Sequence, residues 1–491
     1  MNIRKLARAG IASGLVLAAT FGAAGSRVSA QAVSATFTSQ IIYQNPTAVA
    51  GNMTAVFYPE LDGNPAATIS VPIAVPGFGA GSIVVGSVSG LASNFKGSAV
   101  LSADFDVIAS TVQIPSTNAT NRILATGFRA IDATSELYLA SYLNGAFSTK
   151  SSFAVQNVEG QSVDVTASFQ SVAGAVTVIT ATIPANASKF FDSRVAATIP
   201  GLPANFNGSV KVVAVRTGTA TPAKVVGTVE EFRMADGRAY GYEAVPLAAG
   251  ASTVYLPTAQ CNYQPASQNS TTVFAFQNVS AFTVTATVHW LNTANAEIGT
   301  ETFVNIGPSG KKSFLPCTAP GVATGFLGSG YISVSGGGKG VAIAKLDAPA
   351  PGPGFLTGFL GQGQGSAKLA FPYMRNPAST PISSDIGSSV SVQNIGTDII
   401  TGGITLAFYD LNGNVVRTGV SSATLVNGAK FSVALGAAVG GIAMSGAVPT
   451  TSWEGSMVVT GPVGSQLIAV ARHQAPTYKF WTEDYNGVFI Q

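Results

Sequence analysis

Two short motifs recur four times, in the same order, along this chain, and their spacing constrains the fold more than any other feature of the sequence. Gln-Asn closes an apolar stretch at Gln44-Asn45, Gln156-Asn157, Gln277-Asn278 and Gln393-Asn394, at intervals of 112, 121 and 116 residues. Downstream of each lies an aromatic-x-Gly-Ser whose glycine is Gly97, Gly208, Gly328 or Gly455, at 53, 52, 51 and 62 residues from the glutamine. Self-similarity of this kind marks a chain assembled from copies of one unit. The units are read as 31–134, 135–250, 251–365 and 366–491, the last with a C-terminal tail.

Between the motifs, apolar and polar residues alternate and Val, Thr, Ile and Phe dominate, the pattern of half-buried strands. Met53 to Tyr58 runs into Asp62-Gly63, and Ile404 to Tyr409 runs into Asn412-Gly413. Both predict hairpins with type I′ turns, since Asp-Gly and Asn-Gly take φ > 0 at low cost. After each Gly-Ser a further alternating strand ends in Val107-Ile108-Ala109, Val225-Val226, Val341 to Ala344 or Ile468 to Ala471. No segment beyond the leader sustains a helical period. Each unit supplies about seven short strands in roughly 100 residues, the rhythm of an immunoglobulin-like sandwich. The expected fold is all-β, with four tandem Ig-like β-sandwich domains after a cleaved signal peptide.

Residues 1–30 read as that signal peptide. Arg4, Lys5 and Arg8 precede a small-residue apolar stretch from Ala9 to Gly25, and Val28-Ser29-Ala30 reads as a cleavage site before Gln31. The stretch is too short and too rich in Ala and Gly for a membrane span of roughly 20 apolar residues. The expectation is a secreted protein, extracellular or at the cell surface, with no membrane span after cleavage. Without Arg4, Lys5, Arg8 and Arg27, the 25 basic residues become 21 against 22 acidic ones. No basic footprint remains for nucleic acid. Charged residues make up only 10% of the chain and mean hydropathy is +0.36, so uncharged polar side chains must cover the surface. Such a surface desolvates at low cost against a copy of itself, or lies under glycans. Asn118-Ala119-Thr120, Asn186-Ala187-Ser188 and Asn269-Ser270-Thr271 are plausible glycan positions.

The two cysteines, Cys261 and Cys317, fall in one repeat beside predicted strands, and one intradomain disulfide is expected. Enzyme chemistry finds little to work with. His289 and His473 lie in different repeats, and His289 is read as taking the strand position of Phe57 and Phe408. Gly336 to Gly340 lacks the hydroxyl residue of a phosphate loop, and Gly361 to Gly365 misses the dinucleotide spacing. Asp104 with Asp106, and Glu60 with Asp62, are short acidic pairs at turns with too few ligands for calcium. No catalytic residue, metal site or cofactor is expected.

The repeated Gln-Asn, aromatic-x-Gly-Ser and Val-x-Ala motifs resemble the tandem β-sandwich modules of large secreted and cell-surface proteins of filamentous bacteria. The resemblance covers nearly the whole chain after the leader and implies location and architecture more than activity. Repeats two to four each open with an apolar strand, at Leu137-Tyr138-Leu139, Val254-Tyr255-Leu256 and Leu369-Ala370-Phe371; in the first repeat the matching residues fall within the leader. Gly487-Val488-Phe489-Ile490-Gln491 reads as the start of that same strand. Two outcomes are open: Val488, Phe489 and Ile490 complete the first domain of the next molecule by strand addition, or they fold back on the fourth repeat. The aromatic cluster Tyr478, Phe480, Trp481, Tyr485 and Phe489 reads as a final strand pair, an assembly interface or a carbohydrate platform. The expected function is a structural subunit of an extracellular filament, sheath or surface coat, with copies of itself as partners. The alternative is a secreted adhesin or carbohydrate-binding surface protein that meets glycans or other surface proteins.

Overall fold

A computed structural model describes residues 13–17, 37–115, 123–263, 269–348, 354–376, 386–436, 438–439, 441–449, 452–474 and 482–490. The chain is all-β, and among these residues its strands fall into seven sheets, an arrangement of β-sandwich repeats. Alternation gives each strand a dry face. In Val163–Ser171, Val163, Val165, Ala167 and Phe169 are buried while the residues between them are partly exposed, as in any strand covered on one side.

One pairing scheme recurs along the chain. In the first sheet of each repeat, which in the second repeat runs on into the second sheet through the pairing of Asn144 with Lys150, the Gly-Ser strand (Gly97–Ala103, Phe206–Arg216, Phe326–Val334 or Trp453–Thr460) lies between two neighbours. On one side is a hairpin strand, Gly51–Pro59, Val163–Ser171, Val284–Asn292 or Thr405–Asp410. On the other, in the last three repeats, is an opening strand, Glu136–Asn144, Thr253–Cys261 or Lys368–Asn376. The registers coincide. Val210 is paired with Leu139 and Phe169, Gly330 with Leu256 and Trp290, and Met457 with Phe371 and Phe408. In the first repeat, Ala99 is paired with Phe57 and with Leu17 of a strand at Ser13–Leu17.

The second sheet sets each Gln-Asn strand (Phe37–Gln44, Thr149–Asn157, Thr271–Asn278, Gly387–Asn394) beside Ile108–Pro115, Val225–Arg233, Gly340–Ala348 or Leu467–Gln474. An axial strand follows: Ile123–Thr126, Ala239–Glu243, Phe355–Leu360 or Thr482–Asn486. The four axial strands pack in a closed cycle, first on second, second on third, third on fourth and fourth on first. The chain therefore closes on itself. Ile108 shares an apolar cluster with Ala370, Tyr409, Val458 and Ile490, and Phe78 stacks on Tyr409 at 4.7 Å.

The aromatic-x-Gly-Ser motif has a steric origin. A Cβ on Gly97, Gly208, Gly328 or Gly455 would fall 2.0–2.2 Å from the backbone oxygen of Tyr58, Gln170, Leu291 or Tyr409. It would also meet the ring of the aromatic two residues earlier, Phe95, Phe206, Phe326 or Trp453, at 2.5–2.8 Å. The ring lies over the glycine and takes the place of its missing side chain. Elsewhere, a disulfide ties Cys261 to Cys317 across a sequence separation of 56, a constraint of about 3–4 kcal/mol on the unfolded chain in the loop-entropy account.

Two local expectations are corrected. Both hairpins form, but on longer loops than type I′ allows. Asp410 accepts from the amides of Asn412 and Asn414, which leaves only Gly413 at positive φ; near Asp62-Gly63 the positive φ falls on Leu61. His289 is one residue out of register with Phe57 and Phe408. Trp290 takes that buried place, and a one-residue step turns a strand side chain to the opposite face. His289 stacks on Tyr331 and bonds Glu297 and Ser333.

Because the glycine contact is with backbone, a neighbour cannot rotate away from an added methyl. Gly208→Ala is expected to cost about 2–3 kcal/mol. Chemical denaturation should show a lower midpoint, whereas Gly160→Ala, where an added methyl meets nothing within 4 Å, should cost less.

Candidate assembly interface

The repeated motifs converge where one repeat meets the next. Gln44, Gln156, Gln277 and Gln393 are all fully buried, as are the following asparagines. Each asparagine closes the loop that follows it: Nδ2 of Asn157 donates to Gln161, Ile183 and Pro184 carbonyls, and Nδ2 of Asn278 to Phe282, Ile306 and Gly307. Asn45 and Asn394 donate in the same way to Val49, and to Thr397 and Leu425.

The glutamines work between repeats together with the motif serines. Ser98 of the first repeat and Gln156 of the second both donate to the Asn186 carbonyl, each at 3.2 Å. Ser209 and Gln277 converge in the same way on the Ser309 carbonyl, at 2.6 and 3.4 Å. At the closure from fourth to first, Gln44 donates to Ser456 Oγ at 2.8 Å, and that hydroxyl lies 3.4 Å from the Phe78 carbonyl. The acceptors Phe78, Asn186 and Ser309 all have positive φ, like Gly428, whose carbonyl accepts from Gln393. Left-handed backbone turns the carbonyls of Phe78, Asn186 and Ser309 toward the neighbouring repeat.

Charge enters these joints sparingly. Lys311 reaches back to Asn207 at 2.9 Å, and Lys430 to the Pro257 and Gly328 carbonyls at 2.9 and 2.7 Å. Burial pushes Lys311 down to about 7, with the nearby Lys345 adding to the effect. Burial and Arg472 do the same to Lys430, also to about 7. Glu230, which accepts from Gln113 of the first repeat, is raised by burial to about 8. Burial acts on its neighbour Glu231 too, but Lys345 at 2.6 Å overrides it and holds that carboxyl below its usual range. Glu60 is held low in the same manner, by Lys96 and Lys189 at 2.9 and 3.4 Å, and Asp104 accepts from the Asn52 amide. Among the described residues, no group of His, Cys, Asp and Glu is placed to hold a metal, and no helix is long and apolar enough to cross a membrane.

The tail residues lie within the chain. Val488 and Phe489 pair with Ala370 and Leu369 of the fourth opening strand, and Arg129 of the first repeat donates to the Phe489 carbonyl at 2.6 Å. By register they match Phe128–Arg129 and Val245–Pro246, short strands that pair with the first and second opening positions. The segment is thus the counterpart of the link that precedes an opening strand rather than the start of one. Tyr485 is buried, its hydroxyl donating to the Tyr373 carbonyl at 2.7 Å, as Tyr242 donates to Ser141 at 2.6 Å. Tyr478, Phe480 and Trp481 lie outside the described residues.

Sequence reasoning missed Lys311, Lys430 and Glu230. The available signal was scarcity: in a chain with 10% charged residues, a charge inside an apolar strand is unusual. A groove of about 830 Å³ lies between the third and fourth repeats, lined by Thr258, Gln260, Ser389, Ser432, Lys430 and Arg472 among others.

No family model matches this chain, and no curated protein is similar to it. A solved structure described as a tetra-tandem repeat in the extending region of a large adhesion protein is 14% identical, over 91% of this chain and 93% of that one, with a TM-score of 0.10. At that score the two chains do not superpose.

The lysines give the joints a pH dependence. An unfolded lysine stays charged to about 10.4, whereas these are neutral in the folded chain above about 7. Stability from the neutral forms is complete above the unfolded value and is lost as pH falls through the folded one. Glu230 works in the opposite sense: its contribution is complete below about 4.3 and is lost as pH rises through about 8. Between about pH 8 and 9 the lysines dominate; nearer pH 10 the tyrosines that burial holds protonated, among them Tyr142, Tyr240, Tyr242 and Tyr485, pull the other way. Urea midpoints should rise across that window, and a Lys311→Met, Lys430→Met double variant should flatten the rise.

Proposed function

We propose that the chain is a secreted, non-catalytic structural subunit of an extracellular filament, sheath or surface coat, built from four Ig-like sandwiches after a cleaved leader. The observation that carries this reading is where the repeated residues are used. Gln, Asn, Gly and Ser of the four motifs are buried in strand packing or at joints between repeats, and none of them lines the groove between the third and fourth repeats. A body closed through side chain to backbone bonds at successive joints suits a load-bearing unit. The sparsely charged exterior supports close packing of copies.

The groove between the third and fourth repeats favours a second reading, a secreted adhesin or carbohydrate-binding protein, because its mostly apolar lining, set with the hydroxyl and amide groups of Thr258, Gln260, Ser389 and Ser432, suits the apolar faces and hydroxyls of a sugar ring.

Negative-stain electron microscopy and light scattering of the chain from Gln31 to Gln491 test the choice. Ordered assemblies that grow with concentration are expected. Monomers at every concentration would overturn the subunit reading and leave the binding module.

A further inference from the structure

The first repeat differs from the others in one respect: the strand that completes its first sheet comes from residues 13–17, inside the segment read as a leader. That strand pairs with Gly97–Ala103 from Ser13↔Ala103 to Leu17↔Ala99, and on its other side Leu15 and Val16 pair with Arg129 and Phe128. The same position is held by Glu136–Asn144, Thr253–Cys261 and Lys368–Asn376 in the other repeats, in the same register. Ala99, Leu101 and Ala103 of the flanking strand, and Phe128, are buried with the strand in place. Removal of residues 1–30 opens a slot of five residue pairs over this core. Its rims carry backbone N–H and C=O groups that are costly to leave dry and unpaired.

We propose that in the mature protein this slot, between Gly97–Ala103 and Phe128–Arg129, accepts an extended strand from a second copy of the chain. The inference rests on the subunit reading and on cleavage of the leader. The slot specifies its occupant chemically. In the sister repeats, Leu137 and Leu139, Val254 and Leu256, and Leu369 and Phe371 fill it with buried apolar residues at alternate positions. An entering strand needs that alternation, no charge at those positions, and a direction antiparallel to Gly97–Ala103. Each copy opens one slot, so the donor must be as abundant as the protein itself, a condition that a second copy meets. Val488–Phe489 has few pairs to give up, two, both at the edge of its sheet, and with Ile490 it offers apolar residues at alternate positions. Main-chain pairing of this kind, repeated from copy to copy, is heterologous and produces an open chain.

The test uses the chain from Gln31 to Gln491, the same chain begun at Ile11 so that it carries its own occupant, and a peptide of residues Ile11 to Ala19 flanked by lysines for solubility. Tm, binding stoichiometry and polymer length by electron microscopy are read out. Expected are polymers from the Gln31 chain and monomers from the Ile11 chain. The peptide should bind one to one, raise Tm by several degrees and shorten the polymers, while a scrambled peptide does none of these. If the Gln31 chain folds only when the peptide is present, the slot is likewise supported. Polymers that ignore the peptide would overturn the slot and leave the subunit reading standing. Monomers that bind the peptide would overturn the second copy as donor, and the subunit reading with it.

Discussion

The glycine of each aromatic-x-Gly-Ser sits so close to the hairpin strand that no side chain fits, and much else follows from that approach. Backbone contact at Gly97, Gly208, Gly328 and Gly455 fixes the position of the central strand of the first sheet. The next residue, a serine, is thereby held at the boundary between repeats. From there Ser98 and Ser209 meet the carbonyls of Asn186 and Ser309 in the following repeat, and Ser456 meets Gln44 of the first. One steric constraint sets both the interior of a repeat and the geometry of its joint.

The joints depend on few charges, each consequential. Lys311 and Lys430 span successive joints, yet burial holds both near 7, so the bonds they make compete with the cost of desolvating a cation. Near the axis, Arg233 and Arg238 meet Asp347 across the boundary of the second and third repeats, and Asn486 exchanges two hydrogen bonds with the Leu360 backbone across the next. These two axial contacts are polar and directional, which gives the second, third and fourth repeats a definite register where apolar packing alone would let neighbouring strands slide.

Closure also explains why the chain's two ends matter more than their length suggests. Every opening strand lies between a Gly-Ser strand and a short link, and in the first repeat this place is filled by Ser13–Leu17. An edge of this kind is a template for pairing wherever it is left open. Under the proposed cleavage, removal of residues 1–30 and docking of a second copy exchange one strand's backbone bonds for another's.

Much of this was legible in the sequence. The period of Gln-Asn and Gly-Ser, the alternation within strands and the lack of a first opening strand after residue 30 are local facts, because strand propensity and close approach leave residue-type signatures. The pairing of Cys261 with Cys317 needed only their placement in one repeat. Finer register was not legible: whether His289 or Trp290 took the buried place depended on a shift of one residue, and whether Val488–Phe489 began a strand or ended a link depended on partners far away in sequence. Glu230 beside Gln113, Arg129 beside Phe489, and Ser456 beside Gln44 exist only because the first repeat meets the second and the fourth. The sequence determined the unit, since each unit's core is made by residues near one another in the chain; tertiary structure alone decided that the units close on themselves, because that contact joins residues more than 400 positions apart, as with Gln44 and Ser456 at a separation of 412, and no local pattern encodes it.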